Sequence, residues 1–329
     1  MKQCDVCGTF NSNENNYCTN CGCYIVEENI CPFCGHKNPD SNNYCDICGK
    51  QISSLSIEGL DVLFSEYNLS LIQNANISDY EYHNILDSIF KRLDYATISG
   101  KTPKDRIFKI AEMFRPVIPK SSGSDHGNFK NTKIFYDDRL DDSLQIGVVI
   151  HELAHYLLFE LSLNLLCKIL NVNKSVDLKV FIDFFLSSPT LVGVNEFFAH
   201  TVENRYIPHA YRNFSSFNNL VEYHGYDIDL NMEFILIGIS FAKDIIACLD
   251  NYIDERLREL IKLQFKEDNP NVFRKICYEI EEIEMDDVEV PDSVKISILI
   301  LLMARCFEYF YNNEEARKEL EDTKFKFED

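Results

Sequence analysis

Apolar side chains recur at intervals of three and four residues along most of the chain beyond residue 57, a pattern that predicts helices with one buried face. One such helix follows Asp141, Asp142 and Ser143, whose side chains can cap its first turn. Its apolar positions are Ile146, Val149, Ile150, Leu153, Leu157 and Leu158. The same spacing predicts further helices at about 78–99, 102–116, 176–187, 190–206, 231–265, 270–285 and 291–322.

Local signals define two helix starts and add one strand. Thr102 and Pro103 suit the cap and the first position of a helix, and Pro291 suits the first turn of the last helix. The run Lys133-Ile134-Phe135-Tyr136 predicts a strand. Residues 119–131, which are rich in Ser, Gly and Asn, are expected to form a loop. These elements predict a mainly α fold with a small β-sheet.

The chain has 329 residues, of which 46% are hydrophobic, and can form one large domain with a sizeable core plus a smaller module. The smaller module is expected at residues 1–50, where nine of the thirteen cysteines are found, and a linker is expected at 51–57. The large domain is expected at 58–215, with a C-terminal helical region at 216–329 packed on it.

The formal net charge of −21 argues against general binding to nucleic acid, which needs clustered Lys and Arg, and against binding to an anionic membrane. No apolar stretch follows a basic one near Met1, as a signal peptide requires. The best candidates for a membrane span are 234–249, which Lys243 and Asp244 interrupt, and 294–307, which is too short. We therefore expect a cytoplasmic protein in a reducing compartment.

The first 48 residues contain a unit of four cysteines that is repeated 27 positions later. Each unit is Cys-x2-Cys-x10-Cys-x2-Cys, which can place four thiolates around one zinc ion. The first unit is Cys4, Cys7, Cys18 and Cys21, and the second is Cys31, Cys34, Cys45 and Cys48. Because four protein ligands leave no open position, both zinc ions are predicted to be structural. Cys23 is left over and is expected to be a spectator thiol.

This spacing resembles that of zinc ribbons in their tandem, double form. Disulfides or free thiols are the alternative to zinc, and the two units could also exchange ligands. Some zinc ribbons bind nucleic acid and many bind protein. Residues 1–50 contain only Lys2, Lys37 and Lys50 as basic residues, against six acidic residues. We therefore expect these ribbons to recognise a protein partner or to have a regulatory role.

A second metal-binding pattern is His151-Glu152-Leu153-Ala154-His155, in the helix that follows Asp141. Two histidines four positions apart share one face of a helix and can bind one zinc ion, with other coordination positions left open for catalysis. Glu152 can take a proton from zinc-bound water and pass it to the leaving amine. The pattern predicts one catalytic zinc ion; a helix with two surface histidines is the alternative.

The third ligand of this zinc ion is expected in the helix at 190–206. The absence of Gly-x-x-His after His155 excludes the metzincin pattern, whereas Glu196 resembles the gluzincin pattern, in which a Glu on a second helix completes the site. In gluzincins the residue four positions later is commonly Asp or Asn and supports the first histidine, but here it is His200. We rank Glu196 first, His200 second, as a ligand or as a partner of one, and Glu203 third.

Residues 130–210 also resemble ImmA/IrrE-like peptidases, through His-Glu-Leu-Ala-His and the segment from Glu196 to Pro208. These resemblances imply a zincin-like α+β domain, in which an edge strand before the metal helix pairs with extended substrate; the strand at 133–136 is the candidate. Gluzincins often stabilise the oxyanion with Tyr or His. The first candidate for that role is His224, and the others are His209, Tyr211 and Tyr223.

These patterns together predict a zinc-dependent intracellular endopeptidase that acts on a protein or peptide substrate, with Glu152 as general base. It would carry one catalytic and two structural zinc ions. The alternative is a non-catalytic interaction or regulatory protein on a peptidase-like scaffold. A ribbon protein that binds nucleic acid is a third hypothesis.

Overall fold

A computed structural model provides the coordinates of the protein. Described are residues 57–94, 98, 100–120, 127–130, 133–189, 191–212, 214–225, 228–268 and 290–327, together with the short strands at 2–3 and 10–11. The chain divides into two compact units, one of Met1–Ser56 with Asn171–Asn173 and one of Ile57–Leu170 with Lys174–Asp329. The predicted zinc-ribbon cysteines, the linker at 51–57 and the helix predicted at 270–285 lie outside the described residues, apart from Ile57. Their assignments stay predictions.

The second unit is mainly helical and contains a small sheet. Its helices are α1 Leu60–Leu63, α2 Glu66–Gln73, α3 Asp79–Phe90, α4 Pro103–Glu112, α5 Asp142–Leu170, α6 Val176–Ser187, α7 Val192–Tyr206, α8 Ser215–His224, α9 Ile228–Leu249, α10 Glu255–Asp268, α11 Asp292–Asn312 and α12 Glu314–Glu321. Short 3-10 turns occur at His209–Tyr211 and Lys324–Lys326. This architecture confirms the predicted mainly α fold with a small sheet.

The described strands form two separate sheets. In the first unit, β1 Lys2–Gln3 pairs antiparallel with β2 Phe10–Asn11. In the second unit, β3 Val117–Pro119, β4 Gly127–Lys130 and β5 Lys133–Tyr136 form a sheet in the order β3-β5-β4. The β3 strand is parallel to β5, and β4 is antiparallel to it. Both β4 and β5 contact α5, so the sheet lies beside the helix that carries the two histidines.

The strand predicted at 133–136 is present, but its expected place at the edge of the sheet is wrong. β5 lies between two neighbours, so both of its sides are already paired. The edge position beside it belongs to β4, which lies within the predicted loop 119–131. Its sequence, Gly-Asn-Phe-Lys, has no strong strand preference, and antiparallel pairing with β5 provides its hydrogen bonds.

Helix starts follow their capping residues. Thr102 accepts a hydrogen bond from the Asp105 backbone N–H while Asp105 bonds back to the Thr102 N–H, and Pro103 takes the first helical position as predicted. Ser78 and Glu81 form the same capping box at α3. Pro291, by contrast, is the N-cap residue of α11 rather than part of its first turn. Local side-chain hydrogen bonds therefore decide where these helices begin.

Several helix ends differ from the predicted limits. The helix predicted at 78–99 ends at Phe90, and that predicted at 102–116 ends at Glu112. The long helix predicted at 231–265 is divided into α9 and α10. At the division, the Asp254 carboxylate accepts a hydrogen bond from the Leu257 backbone N–H and starts a new helix. The apolar period continues across this break because both helices face the same core.

The core is built around α5, which is apolar on nearly all sides. This helix alone among those described is long and apolar enough to cross a membrane, but 78% of its most apolar window is buried inside the protein. A core helix has the same length and composition, so these two properties are weak evidence for a membrane span. The Asp268 carboxylate at the end of α10 accepts the Ser143 backbone N–H and satisfies a donor in the first turn of α5.

Two glycines let α7 and α9 approach each other closely. A Cβ atom on Gly193 of α7 would lie 2.6 Å from the Phe234 ring, and one on Gly238 of α9 would lie 3.2 Å from the Phe198 backbone nitrogen. Glycine is therefore required for this distance between the helices. The contact fixes α7 between α5 and α9, and α7 carries the candidate third ligand.

A buried lysine joins three helices. The Lys295 side chain on α11 is 4% exposed and forms ion pairs with Asp244 of α9 at 2.5 Å and with Asp292 at 2.7 Å. The Tyr82 hydroxyl of α3 donates to the same Asp244 carboxylate. Removing the ammonium group would leave the Asp244 carboxylate, which is 16% exposed, without its cation.

Lys295→Met is therefore expected to lower the free energy of unfolding by about 3 kcal/mol. Urea unfolding followed by far-ultraviolet circular dichroism measures the change. Lys318→Met is the matched control, because Lys318 and its partner Glu314 are 72% and 71% exposed and such pairs contribute about 0.5 kcal/mol or less. Equal stabilities of the two variants would contradict a structural role for Lys295.

Candidate metal centre

The candidate site lies between α5 and α7, which pack against each other. The middle of α5 carries His151, Glu152 and His155. The facing helix α7 carries Glu196 and, one and two turns later, His200 and Glu203. These six side chains and that of Asn195 on α7 are all buried or half-buried. The packing of two helices thus brings together residues that are about 50 positions apart in the chain.

Two ring nitrogens and both oxygens of one carboxylate lie close together. His151 Nε2 and His155 Nε2 are 3.1 Å apart. Glu196 Oε2 lies 3.6 Å from His151 Nε2, and Glu196 Oε1 lies 3.6 Å from His155 Nε2. Ligands at about 2.05 Å from a tetrahedral zinc ion are separated by about 3.3 Å, so the observed spacing matches the edges of such a site.

His200 lies close to these atoms. Ligand atoms of His151, Glu196 and His200 all lie within 4.8 Å of one another, so this group could hold a metal ion. The His200 ring centroid is 4.5 Å from that of His151, and the His200 side chain is 5% exposed. Position alone therefore leaves both Glu196 and His200 as candidates for the third ligand, and their hydrogen bonds separate them.

The two histidines of α5 are oriented by side chains of α7. Asn195 Oδ1 lies 2.9 Å from His155 Nδ1, and Glu203 Oε2 lies 3.1 Å from His151 Nδ1. An oxygen at each Nδ1 favours a proton there, which leaves the Nε2 lone pair free to bind a metal. Glu203, ranked third as a ligand, is thus placed as a partner of His151.

A chain of hydrogen bonds connects Glu196 to Glu203. The Ser216 hydroxyl at the start of α8 donates to Glu196 Oε2 at 2.6 Å and lies 2.6 Å from His200 Nε2. Because Ser216 has a single hydroxyl proton, His200 Nε2 must donate its own proton to Ser216. On its other side, His200 Nδ1 lies 3.2 Å from Glu203 Oε2. A hydrogen bond on that side requires one further proton, on His200 Nδ1 or on Glu203.

Burial and the two carboxylates shift the pKa values of the site in different directions. Burial lowers the pKa of His155 to about 4, although the nearby Glu196 charge opposes this. Burial also disfavours a charge on His151, but hydrogen bonds to Glu196 and Glu203 outweigh it and raise the pKa of His151 well above 6.5. Burial would raise the pKa of Glu203, yet hydrogen bonds from His151 and His200 hold it at about 2.

Two further residues predicted for the site lie on α5 and α8. Glu152 is 7% exposed on α5, between the two histidines. His224 is exposed in the last turn of α8, with its ring centroid 5.0 Å from that of Tyr223. The roles assigned to both from the sequence, general base and oxyanion stabiliser, stay predictions.

Sequence reasoning did not identify Asn195, Ser216 or Gly147 as parts of the site. Asn195 precedes Glu196 directly, and this adjacency is the one local signal for it. Ser216 lies 20 positions after Glu196 and reaches it through the packing of α8 on α7. A Cβ atom on Gly147 of α5 would lie 3.1 Å from Glu203 Oε1, so this glycine provides room for the carboxylate.

Comparisons of the chain with protein-family models, with curated proteins and with solved structures find no match in any of the three.

Proposed function

We propose that the protein is a zinc-dependent endopeptidase whose metal is held by His151, His155 and Glu196. The proposal rests on three distances: 3.1 Å between the two Nε2 atoms, 3.6 Å from His151 Nε2 to Glu196 Oε2, and 3.6 Å from His155 Nε2 to Glu196 Oε1. Two nitrogens and one carboxylate oxygen form a common ligand set of catalytic zinc, with a position left for water or substrate. The finer description of the fold as zincin-like belongs to the same proposal.

Glu196 is a better third ligand than His200 because of the proton on His200 Nε2. A protonated ring nitrogen has no lone pair for a metal, and this proton is needed for the bond to Ser216. The other ring nitrogen, Nδ1, lies 3.2 Å from Glu203 Oε2. Glu196 Oε1 is directed toward His155 and keeps lone pairs available. His200 and Glu203 then act behind the ligands, in the part that gluzincins commonly give to the residue four positions after the Glu.

A zinc ion bound there supplies a Lewis acid and lowers the pKa of a coordinated water. Glu152, next to His151 on α5, accepts the proton of the attacking water and passes it to the leaving amine. The half-buried side chains of His151 and His155, 13% and 11% exposed, keep the reacting group partly shielded from bulk water. The β4 strand, at one edge of the sheet, replaces β5 as the candidate for pairing with extended substrate.

The zinc ribbons predicted at residues 1–50 complete the proposal. Their eight cysteines would hold two structural zinc ions and recognise a protein partner or regulate the peptidase. Cytoplasmic location, a protein or peptide substrate and the absence of nucleic-acid binding follow from the same sequence arguments and are proposed with it.

A non-catalytic scaffold is the competing function. It would be favoured if Glu196 and His200 both pointed away from the two histidines of α5. Glu196 instead lies 3.6 Å from each of them, and the His200 ring is beside His151. A set of ligands with open coordination positions has a clear use in catalysis and none in a purely structural site.

Metal removal tests the proposal. The purified full chain is expected to contain about three zinc ions, of which mild chelation removes one and the four-thiolate sites retain two. Chelation should abolish cleavage of a set of unstructured synthetic peptides, with products identified by mass spectrometry. Added zinc should restore cleavage, whereas added magnesium should not, because it prefers oxygen ligands. The proposal would be contradicted if the chain held no chelatable zinc, or if removal of that zinc left cleavage unchanged.

A further inference from the structure

Polar contacts connect Glu196 to His151 in a ring that closes at the proposed metal position. Glu196 accepts from Ser216, Ser216 accepts from His200, His200 faces Glu203 and Glu203 faces His151. The ring closes where His151 and Glu196 come within 3.6 Å of each other as proposed ligands. Three helices contribute to it: α5, α7 and α8.

We propose that Ser216 is a positioning residue for the metal centre, which joins Glu196 to His151 through His200 and Glu203. This inference rests on the proposed function. Ser216 is on α8, whereas the other members of the ring are on α5 and α7. A single hydroxyl group thereby controls the orientation of one ligand directly and of another through two intermediate side chains.

The start of α8 is fixed in place by aromatic packing on α7. The Phe214 ring stacks on Phe197 with centroids 4.9 Å apart, and the Phe217 ring meets Phe197 edge-on at 5.0 Å. Ser216 lies between these two aromatic residues in the chain. Phe214 also lies 5.6 Å from the His200 ring. Since both flanking residues are held against α7, the Ser216 hydroxyl has a defined position relative to Glu196.

The opposite side of the ring depends on Gly147. A Cβ atom at this position would lie 3.1 Å from Glu203 Oε1, which is tighter than an ordinary van der Waals contact. Gly147 precedes His151 by one helical turn, on the same face of α5. The missing side chain therefore allows the Glu203 carboxylate to reach both His151 and His200.

Loss of the Ser216 hydroxyl would have two local consequences. Glu196 Oε2 would lose the donor that fixes its direction, and the His200 Nε2–H would lose its acceptor. His200 is 5% exposed, so water cannot easily replace that acceptor. The ring would then open, and Glu196 and His151 would be held less firmly in the geometry that zinc requires.

Zinc affinity of the full chain, measured by competition with a chromophoric chelator, tests the inference. Ser216→Ala should weaken binding at the chelatable site by about 10- to 100-fold, as for other partners of metal ligands. Ser216→Thr keeps the hydroxyl, so its zinc affinity should be within about threefold of that of the native chain. Ser240→Ala is the matched control, since it removes a buried serine on α9 whose hydroxyl bonds to Leu236 and not to the site.

Gly147→Ala tests the ring from its other side and does not depend on the folding of the serine variant. Alanine is the better helix former, which offsets part of the cost of moving the Glu203 carboxylate, so the variant should still fold. Its zinc affinity should nevertheless fall by about tenfold, because Glu203 is displaced from His151. In cobalt-substituted protein, both Gly147→Ala and Ser216→Ala should alter the visible absorption bands, which report ligand geometry.

Native affinity in Ser216→Ala, failure of Ser216→Thr to recover it, equal weakening in Ser240→Ala, or native affinity in Gly147→Ala would each overturn the inference. These outcomes leave the proposed function standing, because the native chain would still bind a chelatable zinc ion. Absence of that zinc ion from the native chain is a different result and removes the proposed function itself. A failure of the inference is thus seen in the variants, whereas a failure of the proposed function is seen in the native chain.

Discussion

Glu152→Gln is expected to lower the rate of peptide cleavage by between about 10²- and 10⁴-fold, the usual contribution of a general acid–base group. The amide has nearly the same shape as the carboxylate but cannot accept a proton. Glu152 lies between His151 and His155 on α5 and is 7% exposed, so the substitution keeps the local packing. The zinc content and the far-ultraviolet spectrum should match those of the native chain.

Glu160→Gln provides the matched control for this experiment. It makes the same change on the same helix at a carboxylate that is 4% exposed and paired with Lys174. Loss of this pair should lower the stability of the protein without changing kcat per bound zinc ion. Cleavage by Glu152→Gln at the native rate, measured on the same peptides, would exclude Glu152 as the general base and would favour a non-catalytic role for the site.

Helix starts could be predicted from the sequence because their causes are local. The cap at Thr102 and Pro103 involves residues within one turn, and the structure has a helix start there. Helix ends and the strand β4 have no comparable local signal. β4 exists because β5 offers it hydrogen bonds, and the division of α9 from α10 depends on one capping carboxylate, Asp254, within a continuous apolar period.

The site was predictable only to the extent that helical geometry reveals it. Positions 151 and 155 must share a face of α5, so their convergence follows from their spacing alone. The placement of Glu196 beside them depends on the packing of α7, and its selection from the sequence came from a resemblance. The contact of Ser216 with Glu196 depends on the packing of a third helix, α8. No sequence pattern between Glu196 and Ser216 predicts that packing.

Glu196→Ala is expected to weaken zinc binding by far more than about 100-fold. Losing a residue that only hydrogen-bonds to a metal ligand costs up to about that factor. The substitution removes a ligand and leaves only the two histidines of α5. His200→Ala should cost about 10- to 100-fold, because it opens the hydrogen-bonded ring without removing a ligand. Competition with a chromophoric chelator measures both constants on the same scale.

Glu222→Ala is the control for this pair, since Glu222 is an exposed carboxylate on α8 and its removal should leave zinc affinity unchanged. The opposite order, with His200→Ala abolishing binding and Glu196→Ala retaining it, would make His200 the third ligand. That result would require the contact between His200 Nε2 and Ser216 to be broken, because a ring nitrogen that binds zinc carries no proton and has no second lone pair to accept one. The order of the two affinities therefore decides between the ligand sets that position alone leaves open.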